Sequence, residues 1–308
     1  MKSSLSIRSI VVGLLVALFA SSFSALAAET NQIALLVVAH GARDPAWGER
    51  VIEAIEQLKW NGPKEVAFLN GKPPKHALPI VAARLDQPGV RQIVIVPLLI
   101  SSFSGHYEEV RFYAGQRKEM PGHPGGSNEH GEAAPLKTKA SLSLTSAMDG
   151  HPVLSRILID QVKPLVKNAA NESLVLVAHG PNENAENERW LEHLRSHAKR
   201  LQEHYGFRRL AALTLRDDAP AEVRDAATEQ LRSTVKTGAA DSRVLVLPVL
   251  VSVGHLQMEI RERLKGTEYT MAEGGVANHP LITEWVRQQA ERSSGGAAAV
   301  ADISQQRP

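Results

Sequence analysis

The sequence contains no cysteine. That excludes disulfides, thiolate zinc sites, thiolate-bound iron–sulfur clusters and a cysteine nucleophile together. Any metal site must use imidazole nitrogen and carboxylate oxygen, and twelve histidines keep that option open. Neither sign of charge is in real excess, with 35 basic against 33 acidic residues and a formal net charge of +2. Setting aside Lys2 and Arg8, which lie in an acid-free leader, leaves 33 against 33. No basic stripe is present to follow a phosphate backbone, so nucleic acid is not an expected partner. Signature loops are missing too. There is no Walker-type Gly-Lys-Ser/Thr loop and no Gly-x-Gly-x-x-Gly after a strand, so no nucleotide or dinucleotide is expected. No Gly-x-Ser-x-Gly elbow appears, which argues against a serine hydrolase. Ala39 and Ala178 stand before the two His-Gly pairs where a histidine phosphatase carries arginine.

Long apolar runs are also scarce, and the one that exists is at the N-terminus. Lys2 and Arg8 precede the run Ile10 to Ala20, which ends in Ala25-Leu26-Ala27. The run is short for a full span of about 20 residues. Residues 1–28 therefore read as a secretory signal cut near Ala27 or Ala28, which implies a periplasmic or secreted protein with no membrane span after cleavage. The remaining 280 residues suffice for a large core without covalent staples.

What is present is a repeat. Leu35-Leu36-Val37-Val38-Ala39-His40-Gly41 recurs as Leu174-Val175-Leu176-Val177-Ala178-His179-Gly180, five of seven identical. Ile93 to Ser101 is echoed by Val244 to Ser252, each soon followed by a Gly-His pair, Gly105-His106 and Gly254-His255. His151-Pro152-Val153-Leu154 is matched by His279-Pro280-Leu281-Ile282. Three matched blocks in one order indicate a duplicated pair of half-size domains, 29–170 and 171–292.

Within each half, short β-branched runs alternate with helical spacing. Strands buried on both faces are expected near 33–39, 65–69, 93–100, 173–178, 209–214 and 243–251, with shorter ones near 141–147 and 267–271. Val51, Ile52, Ile55 and Leu58 give one apolar helix face, opened by Asp44 as cap and Pro45 at the first helical position. Trp190, Leu194 and Leu201 give another. The expected class is α/β, with a parallel doubly wound sheet in each half. Residues 117–140, rich in Gly, Pro and Glu, read as a mobile loop insertion, and the 293–308 tail as disordered.

Open parallel sheets bind ligands beyond the carboxyl ends of their strands. His40 and His179 end a first strand there, and His106 and His255 follow the third strand at the start of a helix. Neutral imidazole is a metal ligand and a proton acceptor near ordinary pH. Glu109 and Glu259 follow by three and four residues, on the same helix face as their histidines. Two imidazoles and a carboxylate suit a divalent first-row metal. The candidate metal ligands are thus His40, His106, Glu109, His179, His255 and Glu259, with His40 and His106 as catalytic candidates. His151 and His279 each precede proline and read as helix caps. His193, His197 and His204 share one helix and read as a solvated face. His123 and His130, with Glu129 and Glu132, read as polar loop residues.

A strand ending in Ala-His-Gly-x-Arg-Asp-Pro (Ala39 to Pro45), followed by a Val-Pro-Leu strand leading to Gly-His, resembles the sirohydrochlorin cobalt/iron chelatases, the ATP-independent class II tetrapyrrole chelatases. The resemblance spans both repeats. It implies two flavodoxin-like domains across a cleft, and insertion of cobalt or iron (nickel also being conceivable) into a sirohydrochlorin-type tetrapyrrole, as in cobalamin or siroheme biosynthesis. It places the family's two active-site histidines at His40 and His106, and by repeat at His179 and His255. Arg43 and Arg111 become candidate anchors for substrate carboxylates. The second half departs from the motif, reading Pro181-Asn182-Glu183 in place of Arg-Asp-Pro. The competing expectation is an exported, non-catalytic protein that buffers or delivers Co, Ni or Fe through the same histidines.

Overall fold

The computed structural model describes residues 32–41, 45–70, 72–121 and 133–295. The leader 1–28, Arg43, Asp44, and His123, Glu129, His130 and Glu132 lie outside the described residues. The β-branched runs form two four-stranded parallel sheets. The first holds β1 (Gln32–Ala39), β2 (Lys64–Phe68), β3 (Val90–Leu98) and β4 (Ser141–Leu144) in the order β2-β1-β3-β4. The second holds β5 (Glu172–Ala178), β6 (Arg209–Thr214), β7 (Arg243–Val249) and β8 (Thr270–Met271) in the order β6-β5-β7-β8. The register repeats as well: Ala39 pairs with Phe68 and Leu98, and Ala178 with Thr214 and Val249. Both central strands are covered on two faces, which is why they carry unbroken apolar runs rather than alternation.

Eight helices connect the strands among the described residues: α1 (Pro45–Glu56), α2 (Leu78–Leu85), α3 (Gly105–Tyr113), α4 (Pro152–Val162), α5 (Asn184–Tyr205), α6 (Ala221–Ala239), α7 (His255–Arg263) and α8 (Leu281–Ser294). The outward faces of the strands, such as Leu36, Val38, Val175 and Val177, pack against α2 with α3 and against α6 with α7. The inward faces, including Leu35, Val37, Leu174 and Leu176, belong to one continuous core with α1, α4, α5 and α8. The halves are therefore welded by a shared helical layer.

The last helices are exchanged within that layer. α8, at the end of the second half, packs on β3 and β1 of the first, while α4 packs against α5 and reaches β7. The Gln92 amide donates to the Ser293 carbonyl at 3.3 Å, and the Ser293 hydroxyl donates to Ser143 Oγ at 3.1 Å. The Tyr205 hydroxyl donates to the Ile159 carbonyl at 3.0 Å. Trp285 on α8 is fully buried, and truncating it to alanine is expected to cost about 3–5 kcal/mol. His151 caps α4 as expected, its Nδ1 accepting the Val153 N–H at 3.2 Å, while His279 stands one residue ahead of the N-cap Pro280 of α8, its Nδ1 accepting the Leu281 N–H at 3.2 Å.

Three expectations change. Ser293 and Ser294 are the end of α8 rather than disordered tail, because that turn is bonded to the first sheet; residues 296–308 lie outside the described residues. Within 117–140, residues 122–132 lie outside the described residues, but both flanks are tied down. Met120, Ala133 and Leu136 pack on the first outer core, and the N–H groups of Lys139 and Ala140 donate to the Asp86 carboxylate at 2.8 and 2.9 Å. His197 is buried at 1% exposure rather than solvated. Its helix face meets α4 instead of water, and it satisfies both ring nitrogens there. Nε2 donates to the Asp149 carbonyl and Nδ1 accepts from the Ser155 hydroxyl, each at 2.7 Å.

Candidate functional site

Each first strand ends in an Ala-His-Gly turn whose shape explains its composition. Gly41 has φ +90° and Gly180 φ +77°, where a side chain is strained. A Cβ would also meet Asn70 at Gly41 and Thr214 at Gly180, at 2.4 and 2.5 Å. The turn folds the glycine carbonyl back onto the preceding imidazole. His40 Nδ1 is 2.8 Å from the Gly41 oxygen, and His179 Nδ1 is 2.8 Å from the Gly180 oxygen. A carbonyl only accepts, so Nδ1 carries the proton and Nε2 presents the lone pair when the ring is neutral.

His106 is delivered by the loop after β3. Ser104 caps α3 by accepting the Tyr107 N–H at 3.2 Å, which puts His106 in the first turn. The loop before it is braced by Asp149, whose carboxylate accepts both the N–H and the hydroxyl of Ser102 at 2.7 Å. The Ser102 oxygen in turn accepts the Ala147 N–H at 2.9 Å. The result is close pairing: the His40 and His106 rings are 4.1 Å apart, centroid to centroid, tilted by 46°. Glu109, buried beneath them at 1% exposure, has Oε2 3.7 Å from His106 Nδ1.

His40 keeps an open edge, yet protein crowds it closely enough that desolvation dominates its titration, pushing its pKa down to about 4. The neighbouring His106 lowers it further. The Gly41 carbonyl and Glu109 oppose the shift, and His179 adds to it. The last contribution matters for assembly, because it brings the second half's imidazole within electrostatic reach of the first-half pair. His40 is thus a neutral base with a free lone pair throughout the physiological range.

The second half repeats the scaffold with different surroundings. His179 Nε2 faces Asp218 Oδ2 at 3.3 Å, and His255 Nε2 faces Asp217 Oδ2 at 3.6 Å and Glu259 Oε1 at 3.8 Å. Arg263, with its side chain only 7% exposed, forms an ion pair with Asp217 and lies 3.6 Å from Glu259. The acids there are already compensated by an arginine.

Sequence reasoning missed Asp217, Asp218, Arg263 and Asp149. The first two sit just past the carboxyl end of β6, the edge where ligands bind, so a search for acids as well as histidines at strand ends finds them. Arg263 lies four residues after Glu259 on one helix, a visible i,i+4 pair. Asp149 is held across the chain from Ser102 with φ +45°, and nothing local marks it.

The three-ligand sets expected in each half are not closed. Among the described residues, no three His, Asp or Glu side chains converge closely enough to hold an ion. Glu109 stops short of the ring it accompanies, and Glu259 is shared with Arg263. Arg43 lies outside the described residues. Arg111 does not stand free: its Nη1 donates to both Glu108 oxygens at 2.9 and 3.0 Å. Burial works against the Glu108 charge, but its bonds to Arg111 and Arg117 outweigh this and hold the carboxyl below its ordinary range.

Comparison with known proteins bears on the fold. No curated protein sequence matches the chain. Among solved structures, SirB from Bacillus subtilis with Fe3+ matches at a TM-score of 0.59 and 16% identity, covering 86% of this chain and 96% of its own. DR2241 from Deinococcus radiodurans, a multi-domain protein with structural similarity to chelatases, matches at 0.55 and 18%, covering 86% of this chain and 56% of its own. CbiX, the terminal enzyme for biosynthesis of siroheme in denitrifying bacteria, matches at 0.50 and 16%, covering 86% and 100%. These likenesses run across both halves and establish the fold. The CbiX family model matches residues 34–165, which contain His40, His106 and Glu109. By that match, the first half of the chain is similar to the CbiX family.

Proposed function

We propose that the protein is a chelatase that inserts a divalent metal, cobalt or iron, into a sirohydrochlorin-type tetrapyrrole without ATP, and that the first half carries the reaction. The observation that supports this most directly is the His40–His106 pair, two imidazoles 4.1 Å apart over a buried carboxylate. Insertion requires the metal to shed water while the macrocycle loses two pyrrole protons. His40 suits both tasks, since its Nε2 lone pair is free and its low pKa keeps it from being protonated in advance. Metal held by His40 and His106 would pass to the ring nitrogens, and the vacated imidazoles would relay the displaced protons to solvent. Glu109 then offsets the charge that develops on His106.

The leader and the resemblance together support an exported chelatase, which places a tetrapyrrole and its metal outside the cytoplasm. The test is anaerobic incubation of the mature chain with sirohydrochlorin and Co2+ or Fe2+, followed by absorbance. Acceleration over the uncatalysed rate, abolished by His40→Ala and His106→Ala, is expected. Tight Co2+ binding by wild type with no acceleration would instead support the metal-buffering role.

A further inference from the structure

Between the first turns of α5 and α6, above edge strand β6, lies a cavity of about 360 Å3. Leu191, Leu213, Val223 and Ala227 give it apolar walls, and Asn187 and Arg216 line it as polar groups. Arg216 is 6% exposed, yet its partners are a carbonyl and a carboxamide rather than a carboxylate. Nη2 donates to the Asn182 carbonyl and, at 3.0 Å, to Asn184 Oδ1. Nε is buried with no hydrogen-bond partner. Glu183 acts on the guanidinium only through space. A desolvated cation with unspent donors is costly unless something completes it.

The backbone says the same. Arg216 has φ +53°, a conformation that strains a side-chain-bearing residue, and its N–H donates to the His179 carbonyl at 2.8 Å. Asn70 occupies the matching place in the first half, donating to the His40 carbonyl at 3.0 Å. The exchange is reciprocal: the first half carries Arg43 after its first strand and Asn70 after its second, whereas the second half carries Asn182 and Arg216. The first turns of α5 and α6 add the positive ends of two helix dipoles at the same cavity. Glu222, exposed at the rim, disfavours a second negative charge.

We infer that this pocket binds the carboxylate end of an aliphatic chain, with Arg216 as its anchor and the apolar walls taking the methylenes. The inference does not depend on metal insertion. That carboxylate comes either from a side arm of a macrocyclic substrate or from a free small acid. Full-length protein is titrated by NMR with butyrate and with butyramide, its uncharged isostere. Butyrate binding is expected to weaken at least tenfold in Arg216→Gln, and similarly in Ala227→Leu, which fills the cavity without touching the cation. Competition between butyrate and metal-free uroporphyrin, a polycarboxylated macrocycle, identifies a side arm; butyrate binding without competition identifies a free acid. The inference is overturned if wild type does not respond to butyrate, if butyramide binds equally well, or if Ala227→Leu and Arg216→Gln both bind butyrate like wild type.

Discussion

The loops that deliver His106 and His255 occupy the same place in two sheets of the same strand order, and they differ in the side chains that hold each histidine still. The first is tied by Asp149 to Ser102 and capped by Ser104. The second is two residues shorter between its serine and its Gly-His pair, and α7 begins without a side-chain cap at Gly254. Ala277 takes the place of Asp149: the N–H of each donates to the strand-end carbonyl, Val251 and Ile100 respectively. Val253 is 43% exposed, and the His255 side chain is 69% exposed. The acids differ in the same sense. Glu109 is buried beside its histidine, whereas Asp217 and Glu259 share Arg263. The first loop is braced beside a buried acid, while the second is loose and its acids are held by an arginine. The two sheets keep the same strand order while the surroundings of their histidines differ.

The strongest break of this comparison is in the histidines themselves. His40→Ala or His106→Ala is expected to lower the rate of metal insertion by about 100-fold or more, while His179→Ala and His255→Ala stay within about tenfold of wild type. Equal losses in both halves, measured by absorbance during metallation, would place the chemistry between the halves rather than in the first. Arg263→Met sharpens the contrast from the other side. It removes the cation that neutralises Asp217 and Glu259 while keeping much of the side-chain volume. Calorimetric titration with Co2+ is expected to reveal a site at least tenfold tighter than wild type, dependent on His255. The variant also loses about 1–2 kcal/mol of stability from leaving the partly exposed acids unpaired.

Most of the fold was legible because it rests on local pattern. Unbroken β-branched runs marked strands covered on both faces, and the repeated His-Gly and His-Pro blocks fixed the correspondence between halves. The histidines were legible because the carboxyl edge of a parallel sheet is a topological address. The exchange of α4 and α8 was not, since each helix has the same apolar stripe whichever sheet it covers; only the three-dimensional path decides. For the same reason His197 read as a solvated residue. Its position on α5 is polar by type, and the α4 surface that buries it lies 42 residues away in sequence. Asp149 was invisible because its role depends on Ser102, 47 residues earlier.

Asp149 gives the next, smaller effect. Asp149→Gly keeps the positive φ but removes the carboxylate that grips Ser102. Two hydrogen bonds to a charged acceptor are lost, at about 1.5–3 kcal/mol each before relaxation. The expected result is a roughly tenfold fall in kcat with little change in KM. Asp149→Asn should recover part of it through the Ser102 N–H. Introducing the acid at the matching place, Ala277→Asp, should leave the rate unchanged. A fall in KM-dependent binding alone would mean that the clamp shapes the substrate surface and not the histidine.

The smallest effect separates the site from the layer beneath it. His197 is buried between α4 and α5, and desolvation, only partly offset by its bond to the Asp149 carbonyl, brings its pKa down to about 4. In the unfolded chain it titrates near the ordinary value of about 6.5. Between those values the unfolded state binds the proton that the native state refuses, so stability is complete above pH 6.5 and declines as the pH falls toward 4. Each unit of difference is worth about 1.4 kcal/mol, and relaxation of the buried site brings the expected loss to about 1–3 kcal/mol. His40 acts in the same direction, so the two together steepen the acid limb. Urea midpoints measured from pH 7.5 to 4.5 should fall steadily for wild type. His197→Asn should start lower, having lost its bond to Ser155, yet decline less; His40→Asn should decline less without the initial loss. If both variants kept the wild-type slope, neither imidazole would be neutral in the native protein, and the free lone pair assigned to His40 would go with it.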